Sequence, residues 1–472
     1  MAVGTQQAPP TQTSRIPVAD RRVLVPSWWR DAVGLAIWAS MLIVVALWVS
    51  GGGVQAMASV DGAFTTLGRL TGLVASDLLL IQVLLMARLP VVERVYGQDE
   101  LARRHRLVGF WSFSLMLAHL VLVSIGYALS AHLNVFAQFW ELVVDYPGML
   151  LATAGTALVV AVAMSSIRAA RRKLRYESWH LIHLYAYLGV GLALPHQLWT
   201  GQDFLNNPWA TLYWWGLWIV AVVAIIGWRL LVPLYRSLHH DLRVAGVRRE
   251  SADVVSVRIA GRDLDQLPAA AGQFFNWRFL GRPGWTRAHP YSLSAAPNGC
   301  ELRITVKDLG DGSHELGTLA RGSRVLIEGP YGRLHGGVRT RRKVLLIGAG
   351  IGITPLRALL EELPQAPGDV TLIYRAGSDD ELVLSREIEK LAASRGARVF
   401  FVVGHRRRER NSWMPSSAGV LSDVDGLRQL VPDVADHDVY LCGATPWMDA
   451  AAKAARDCGV PAEHIHSERF SW

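Results

Sequence analysis

The sequence predicts a multidomain membrane protein, in which a six-span α-helical transmembrane bundle is followed by a small antiparallel β-barrel and an α/β domain. Three observations indicate this fold class. Hydrophobic residues make up 51% of the 472-residue chain, which is a high share for a soluble protein of this length. The long apolar runs all lie before about Asp241. After that residue, short alternating segments and a strand–turn–helix pattern are typical of soluble domains.

Four segments are expected along the chain. Residues 1–28 are rich in Pro, Thr, Gln and Ser and are expected to be disordered. The transmembrane domain is expected at 29–235, the barrel at 236–338 and the α/β domain at 339–472. No cleaved signal peptide is expected, because no short apolar region with a small-residue cleavage site precedes the first apolar run.

Six apolar segments are each close to the roughly 20 residues that a helix needs to cross a bilayer. They are residues 32–51, 68–88, 107–129, 147–167, 179–199 and 210–232. Arg and Lys residues are absent from the alternate loops 52–67, 130–146 and 200–209 and abundant in the others. By the positive-inside rule, both termini and the soluble half are expected in the cytoplasm, with the spans in the plasma membrane. Many of the arginines flank apolar runs, as the same rule requires, and this explains the net charge of +9. The expected partner is therefore the lipid bilayer and not nucleic acid.

Two of these segments carry histidines at matched depths. The helix of the third segment begins at Arg103-Arg104-His105, and His105 and His119 lie on one face of it, about 21 Å apart along the axis. His183 and His196 lie about 20 Å apart on the fifth. An ideal helix would leave the second pair about 140° apart, although Pro195 could distort the last turn. Imidazole is an axial ligand for haem iron and is costly in lipid without a partner. The pattern predicts two bis-histidine sites, one near the inner face and one near the outer face.

In that assignment His105 pairs with His183, and His119 pairs with His196. His180, which lies one turn before His183, is the alternative inner ligand. The alternative for the whole set is hydrogen bonding to neighbouring helices. Other metal or disulfide chemistry is not expected, because the cysteines are too few and are not spaced for zinc or an iron–sulfur cluster. They are Cys300, Cys442 and Cys458.

Two motifs stand among the short strands of the predicted barrel. They are His289-Pro290-Tyr291-Ser292-Leu293-Ser294 and Gly310-Asp311-Gly312-Ser313. An aromatic side chain followed by hydroxyls can lie along a flavin ring and bond its polar edge, and a Gly-Ser turn lets backbone N–H groups approach a pyrophosphate. Each motif alone is also compatible with ordinary strand packing.

The α/β domain begins with a buried strand that leads into a glycine-rich turn and a helix. The residues are Val344-Leu345-Leu346-Ile347, then Gly348-Ala349-Gly350-Ile351-Gly352, then Ile353-Thr354-Pro355. Such a turn at a helix N-terminus is typical of phosphate binding. Pro355 suits the first turn of a helix. The pattern therefore predicts a nucleotide-binding domain.

Two later strands end in residues that could also contact a nucleotide. One strand ends at Arg375, which could pair with a 2′-phosphate in a bidentate manner, so NADPH is favoured over NADH. The alternative is a surface arginine that follows a strand. The other strand ends at the turn Cys442-Gly443.

The membrane histidines and the two soluble blocks together resemble the ferric reductase and NADPH oxidase superfamily. The resemblance covers nearly the whole chain, from about residue 32 to the end. In that family a six-span haem domain is fused to a cytoplasmic reductase similar to ferredoxin–NADP reductase. The resemblance implies FAD, NAD(P)H and two b-type haems as cofactors, and oxygen or ferric iron as the outer acceptor. The alternatives are a haem-free flavin reductase and a redox subunit that reduces a protein partner, although the short outer loops indicate no such partner.

The resemblance also assigns roles to individual residues. Those implied to hold the flavin are His289, Pro290, Tyr291, Ser292, Leu293, Ser294, Gly312 and Ser313. Those implied to hold the nicotinamide nucleotide are Gly348, Gly350, Gly352, Thr354, Pro355, Arg375, Cys442 and Gly443. Trp472 would cover the flavin, with Phe470 as the alternative. Arg69 would contact a haem propionate or the acceptor, or else lie at the interface with its charge in water.

Overall fold

The first half of the chain is helical. The computed structural model describes residues 28–174, 176–201, 207–281, 284–406 and 411–468. The helices of this half are α1 (Trp28–Ser50), α2 (Val60–Leu85), α3 (Pro90–Tyr96), α4 (Gln98–Ala131), α5 (Val135–Asp145), α6 (Met149–Ser166), α7 (Arg168–Arg171), α8 (Tyr176–Trp199), α9 (Pro208–Ala224) and α10 (Val232–His240). A π-helical turn, Ile225–Leu231, joins the last two into one continuous helix.

Five helices among the described residues are long and apolar enough to cross a membrane. They are α1, α2, α4, α6 and the continuous helix Pro208–His240. Many of their large apolar side chains are exposed, as for Leu35, Trp38 and Leu212, which favours lipid around them. The number differs from the six predicted spans, because α8 forms a helix but does not meet the same criterion. Its histidines and Gln197 make it less apolar than the others.

Two antiparallel helix pairs form the bundle that carries the histidines. Helix α2 packs along α4, and α6 packs along α8. Glycines allow the second pair to approach closely. A Cβ atom placed on Gly155 would lie 2.5 Å from the Gly189 carbonyl oxygen, and one on Gly189 would lie 2.9 Å from the Gly155 carbonyl oxygen. These contacts hold α8 in register with α6.

The next segment forms the predicted antiparallel barrel. Its elements are β1 (Arg243–Arg249), β2 (Val254–Ala260), β3 (Phe274–Phe279), β4 (His289–Ser292), β5 (Glu301–Lys307), α11 (Asp311–His314) and β6 (Val325–Tyr331). The strands form two sheets, in the orders β1-β2-β5 and β4-β3-β6. Single bridges, Arg243 to Arg324 and Leu293 to Ile304, join the edges of the two sheets. Buried aromatic residues of β3, such as Trp277, fill the interior.

The last segment is an α/β domain built on a parallel sheet. Its elements are β7 (Lys343–Ala349), α12 (Ile353–Glu362), β8 (Val370–Ala376), α13 (Ser385–Arg395), β9 (Arg398–Val403), α14 (Asp423–Leu430), β10 (His437–Cys442), α15 (Thr445–Asp457) and β11 (Ile465–Ser467). The strand order is β11-β10-β7-β8-β9. Apolar clusters cover both faces of this sheet, as expected for continuous apolar strands. Cys442 pairs with Gly348, so the two glycine turns meet at the carboxyl edge of the sheet.

Partly buried ion pairs join the barrel to the α/β domain. Arg303 on β5 pairs with Glu387 on α13 at 3.1 Å. Arg357 on α12 also contacts Glu387, and its Nη1 donates a hydrogen bond to the Ser294 carbonyl oxygen at 3.2 Å. Ser294, which follows β4, therefore ties the flavin motif of the barrel to α12 of the α/β domain.

Candidate functional site

The inner histidines face each other from α4 and α8. The ring centroids of His105 and His183 are 5.9 Å apart. The Nδ1 atom of His105 is buried and has no hydrogen-bond partner, while the His183 Nδ1 atom lies 3.4 Å from the Ser166 hydroxyl. Two metal–imidazole bonds of about 2 Å each would place ring centroids about 6 Å apart. The pair therefore fits a group whose metal is held between the two rings.

The outer histidines are each fixed through one ring nitrogen. His119 Nδ1 lies 2.8 Å from the Gly68 carbonyl oxygen, and His196 Nδ1 lies 2.6 Å from the Ala193 carbonyl oxygen. A carbonyl oxygen only accepts, so Nδ1 carries the proton in both rings and Nε2 keeps its lone pair. Hydrogen bonds of this kind orient imidazole ligands of metals.

Close contacts with glycines fix the positions of the two outer histidines. Gly72 on α2 makes room for the outer ring, because a Cβ atom there would lie 2.5 Å from His119 Nδ1. Gly148, which directly precedes α6, lies against the backbone of His196, where a Cβ atom would be 2.8 Å from the His196 nitrogen. Arg69, which follows Gly68 and is half-buried, lies on α2 at this outer level.

A polar cluster inside the bundle was missed by the sequence analysis. Asp77 on α2 is fully buried. Its Oδ1 atom accepts hydrogen bonds from the Ser40 hydroxyl at 2.7 Å and the Tyr213 hydroxyl at 2.6 Å, whereas Oδ2 is buried without a partner. The cluster ties α1, α2 and α9 together. A single acidic residue in the middle of an apolar segment was the signal that could have revealed it.

The two barrel motifs come together at β4. The rings of His289 and Tyr291 are stacked, with centroids 5.9 Å apart and planes inclined by 10°. A Cβ atom on Gly312 would lie 2.3 Å from His289 Cε1, so only glycine permits this approach. The Ser292 hydroxyl is buried without a hydrogen-bond partner. An aromatic face beside an unsatisfied hydroxyl and a close glycine turn fits the flavin predicted here.

Some of the predicted flavin residues use their side chains within the barrel itself. Leu293 is fully buried in its core. The Ser294 hydroxyl accepts hydrogen bonds from Arg303 Nε at 3.1 Å and from the Thr305 hydroxyl at 2.8 Å. The Ser313 hydroxyl caps its own turn, since it accepts from the Leu309 N–H at 2.8 Å. Any contact of these residues with a cofactor would therefore run mainly through the backbone.

The glycine-rich turn of β7 has one open position and one crowded position. Gly350 has a φ of +54°, and a Cβ atom there would have no neighbour within 4 Å, so its backbone is open to a ligand. Gly352 packs against the other turn, because a Cβ atom there would lie 2.4 Å from the Cys442 carbonyl oxygen and 2.8 Å from the Gly443 nitrogen. The Thr354 hydroxyl donates to the Ile351 carbonyl oxygen at 3.0 Å and so stiffens the turn.

A cleft between the barrel and the α/β domain opens at this turn. Its volume is about 460 Å³, which is within the range of small-molecule pockets. The lining residues that carry charge are Asp253, Lys307, Asp380 and Glu381. Gly350 and Ile351 form part of its wall, so the open side of the turn faces the cleft.

Three further predicted residues of this domain have structural partners. Gly348 lets β7 approach α12, since a Cβ atom would lie 3.0 Å from a Leu356 methyl group. Pro355 is buried in the first turn of α12. Arg375 is not a surface residue, because it is only 4% exposed. Its Nη1 donates to the carbonyl oxygens of Ala376 and Val402, and its Nε is buried without a partner.

A buried acid near the end of the chain was also missed. Glu468 is 6% exposed, and burial raises the pKa of its carboxyl to about 8. Its carboxylate lies against Gly332, where a Cβ atom would be 2.3 Å from Oε2. Burial, together with the charge of Glu468, raises the pKa of the Cys442 thiol well above its usual range. Two proton-holding groups thus lie near the carboxyl edge of the sheet. Nothing in the sequence around Glu468 distinguished it from a solvent-exposed residue.

Trp472 and Phe470, the predicted flavin covers, lie outside the described residues. All three cysteines are free. In the parts of the chain that the structure describes, no group of three or more His, Cys, Asp or Glu side chains could hold a metal ion. That observation does not bear on a two-histidine site.

Comparisons with known proteins agree with this organisation. Residues 71–194 match the family model of the ferric reductase like transmembrane component, and residues 346–453 match that of the oxidoreductase NAD-binding domain. Among curated proteins, the ferredoxin reductase component of the 3-ketosteroid-9-alpha-monooxygenase of Mycolicibacterium smegmatis is 32% identical over 240 residues, which is 49% of this chain and 65% of that protein. A flavohemoprotein of Vibrio cholerae is 34% identical over 38% of this chain and 45% of its own length.

Among solved structures, the FAD/NAD-binding domain of nitric oxide dioxygenase from Vibrio cholerae matches 49% of this chain and 99% of its own, with 27% identity and a TM-score of 0.39. The chain spans just under two thirds of the length of the curated reductase components. The two family models fall on the two halves in which the histidines and the glycine turns lie. The resemblance seen in the sequence is thus confirmed for both parts of the chain: it carries a ferric reductase-like transmembrane component and an oxidoreductase NAD-binding domain, as an NAD(P)H-dependent oxidoreductase would.

Proposed function

We propose that this protein passes electrons from cytoplasmic NAD(P)H, through FAD and two b-type haems, to oxygen or ferric iron on the outer side of the plasma membrane. The single observation that carries the proposal is the facing pair His105 and His183, at 5.9 Å between ring centroids. When bound, the flavin would accept a hydride and release single electrons, which the haems would conduct through the bilayer.

The chain's own residues would hold and orient these groups. His119 and His196 are kept in one tautomer by backbone carbonyl oxygens, which leaves Nε2 free to bind a metal. The Ser292 hydroxyl is available to a flavin. Gly350 would bring backbone N–H groups to a nucleotide phosphate at the start of α12.

Proton positions in the reductase half also support the proposal. Glu468 retains its proton up to a pKa of about 8 because it is buried. The carboxyl therefore holds a proton at neutral pH close to the edge where a nicotinamide would lie beside Cys442. Gly352, which packs on that cysteine's backbone, holds the two turns together.

We also propose that Trp472 covers the flavin and moves aside for the nicotinamide, with Phe470 as the alternative. Deleting Trp472 should change both the flavin absorbance and the Michaelis constant for NADPH. If neither changes, truncation back through Phe470 tests the second aromatic residue. No change in either truncated protein would reject an aromatic cover.

The decisive experiment is an optical spectrum of the purified protein before and after NADPH is added. The expected result is a Soret band that shifts on reduction, followed by reoxidation when oxygen or a ferric chelate is titrated in. A flavin spectrum without a Soret band would reject the haem pathway and favour a membrane-anchored flavin reductase.

Reduction of a protein partner is the second candidate function. It is favoured by the similarity to reductase components whose names refer to ferredoxin. The discriminating result is reduced haem that stays reduced in the presence of both small acceptors and is reoxidised only by an added ferredoxin.

A further inference from the structure

A strained arginine lies at the junction between the bundle and the barrel. Arg88 follows α2 and has a φ of +65°, a conformation that costs free energy for a residue with a side chain. Its side chain is 11% exposed. The guanidinium carbon lies 4.1 Å from the centre of the Tyr331 ring. The same group pairs with Glu93 at 3.4 Å and Glu328 at 3.6 Å.

These contacts connect the two halves of the protein. Arg88 and Glu93 belong to the segment between α2 and α4, whereas Glu328 and Tyr331 belong to β6 of the barrel. The Tyr331 hydroxyl donates to Glu328 Oε1 at 2.9 Å, which fixes the carboxylate that Arg88 approaches. The single planar guanidinium of Arg88 makes both a cation–π contact and desolvated ion pairs. A lysine ammonium cannot reproduce this arrangement.

Helix α10 also contacts β6, from the other side of the junction. On α10, Arg236 Nη1 donates to the Gly329 carbonyl oxygen. The Ser237 hydroxyl donates to the Ile327 carbonyl oxygen at 3.2 Å and accepts from the Ile327 N–H at 3.0 Å. Strand β6 is therefore anchored to the bundle from two sides.

Strand β6 also determines where the flavin motif lies. It pairs with β3, and β3 pairs with β4, where Trp277 stands opposite His289. A shift of β6 against the bundle would move β4 with it, because β6 and β4 are both hydrogen-bonded to β3 in one sheet. Electron transfer from a flavin to a haem slows steeply as the two groups move apart, so a displaced β4 would slow this step.

We propose that Arg88 is a positioning residue, which sets the placement of the reductase half against the bundle and so controls the transfer of electrons from flavin to the inner haem. The inference rests on the proposed function, because it requires both groups to be bound. Arg88 touches neither of the predicted cofactor sites and acts through β6. Its loss would also leave Glu93 and Glu328 buried without their shared cation.

The test compares Arg88→Gly and Arg88→Lys with the wild-type holoenzyme in detergent. Glycine removes the side chain and also relieves the strain at φ +65°, so backbone strain cannot explain a loss. Arg103→Ala is the matched control, because Arg103 lies nearby on α4, its side chain is 72% exposed and it pairs with Glu100 on the same helix. Tyr331→Leu provides a second route should the Arg88 variants fold poorly.

Three quantities are measured: NADPH-driven reduction of a soluble dye that accepts from the flavin, single-turnover reduction of haem, and hydrogen exchange of Val325–Tyr331. In Arg88→Gly and Tyr331→Leu, we expect haem reduction to slow by about tenfold or more, with dye reduction within about twofold of wild type. Hydrogen exchange of β6 should rise. The values for Arg88→Lys should lie between those of Arg88→Gly and wild type. Arg103→Ala should match wild type in all three quantities.

Failure of this inference is distinguishable from failure of the proposed function. If wild type reduces its haem and Arg88→Gly does so at the same rate, the role of Arg88 is overturned and the electron pathway stands. Equal losses of dye and haem reduction in Arg88→Gly would show a merely structural role and would also overturn it. Wild-type protein that reduces the dye but contains no reducible haem would overturn the proposed function instead.

Discussion

His105 and His183 face each other with ring centroids 5.9 Å apart, although they lie on helices that belong to different antiparallel pairs. The sequence left His180 and His183 as alternative inner ligands. The ring that faces His105 at this distance belongs to His183. The structure thus favours one of the two candidate inner ligands, and the pair can be tested by changing either histidine alone.

Replacing His183 with Leu should remove the inner haem, because Leu offers no ligand to the iron. We expect haem content to fall to about half of wild type, since the outer pair is unaffected. Dye reduction by NADPH should persist. The control is His180→Leu on the same helix, which should keep its full haem content. Loss of haem in the His180 variant, with full content in the His183 variant, would reverse the assignment.

Alanine at the two glycines of the β7 turn should have different effects. At Gly352 a Cβ atom would meet the Cys442 carbonyl oxygen at 2.4 Å, so Gly352→Ala should lower the melting temperature of the protein by several degrees. Gly350 has open space but a φ of +54°, so Gly350→Ala should cost only about 1–2 kcal/mol while weakening NADPH binding by obstructing the phosphate. Thermal melts and NADPH titrations separate the two. Similar melting temperatures for both variants would contradict the packing of Gly352 on Cys442.

Local patterns explain why so much of this architecture was predictable. Alternation predicted the barrel strands, and an apolar strand before glycines predicted the turn at Gly348, because each signal lies within a short stretch of chain. The depths of His105 and His119 followed from helical rise alone. The pairing of His105 with a residue on α8 depended only on the assumption that histidines at similar depths on two helices lie close together.

The missed residues are those whose environment comes from distant parts of the chain. Asp77 is buried by α1 and α9, Arg88 by β6, and Glu468 by the loop after β6. A single charged residue has no periodicity, so the groups that surround it are unknown until the tertiary contacts are known, even where an apolar segment marks it as buried. Ser294 shows the converse, because its predicted ligand atom is occupied by side chains from β5.

Arg375 is predicted to select NADPH over NADH. The basis is its position at the carboxyl end of β8 and its buried Nε without a partner, a donor that a 2′-phosphate could satisfy. Arg375→Ala should lower the ratio of kcat/KM for NADPH to that for NADH by about tenfold, which corresponds to one charge-assisted hydrogen bond. Steady-state kinetics with both nucleotides measures the ratio. An unchanged ratio, with both efficiencies lowered equally, would mean that Arg375 only supports the strand through its bonds to carbonyl oxygens.

Protein stability should fall as the pH rises from about 5 to 8, in part because of Glu468. Burial raises the pKa of this carboxyl to about 8, above the usual value for Glu of roughly 4.3. Its contribution to the free energy of unfolding is therefore complete below the pKa of the unfolded state and is lost as the pH rises through the pKa of the folded state. The free energy of unfolding then falls by at most about 1.4 kcal/mol per pH unit. Glu93 acts in the same direction, since burial raises its pKa to about 7.

Melting temperatures of wild type and Glu468→Gln across this pH range measure the effect. The variant keeps the shape of the side chain without the ionisation, so its melting temperature should depend less steeply on pH. Glu301→Gln is a suitable control because it changes a more exposed glutamate of the barrel. Parallel curves for Glu468→Gln and wild type would show that Glu468 does not stay protonated in the folded protein.

The outer acceptor should be reduced without binding to haem iron. Each iron would have two histidine ligands, so both axial positions would be filled and none would be open to oxygen. Electrons would then leave through the edge of the outer haem into a polar pocket. Arg69, which adjoins the Gly68 carbonyl that orients His119, is our candidate for lining that pocket, where its charge could hold a propionate or favour an anionic product. With oxygen as the acceptor, the product should be superoxide, formed one electron at a time.

Carbon monoxide and cyanide should therefore neither change the spectrum of the reduced protein nor inhibit turnover. The measurement is a carbon monoxide difference spectrum of the NADPH-reduced holoenzyme, with His119→Gly as the positive control. That variant lacks one of the two residues that would hold the outer haem, so any haem it retains should bind carbon monoxide. A clear difference spectrum in wild type would reveal an open axial site and would force at least one of the two bis-histidine assignments to be abandoned.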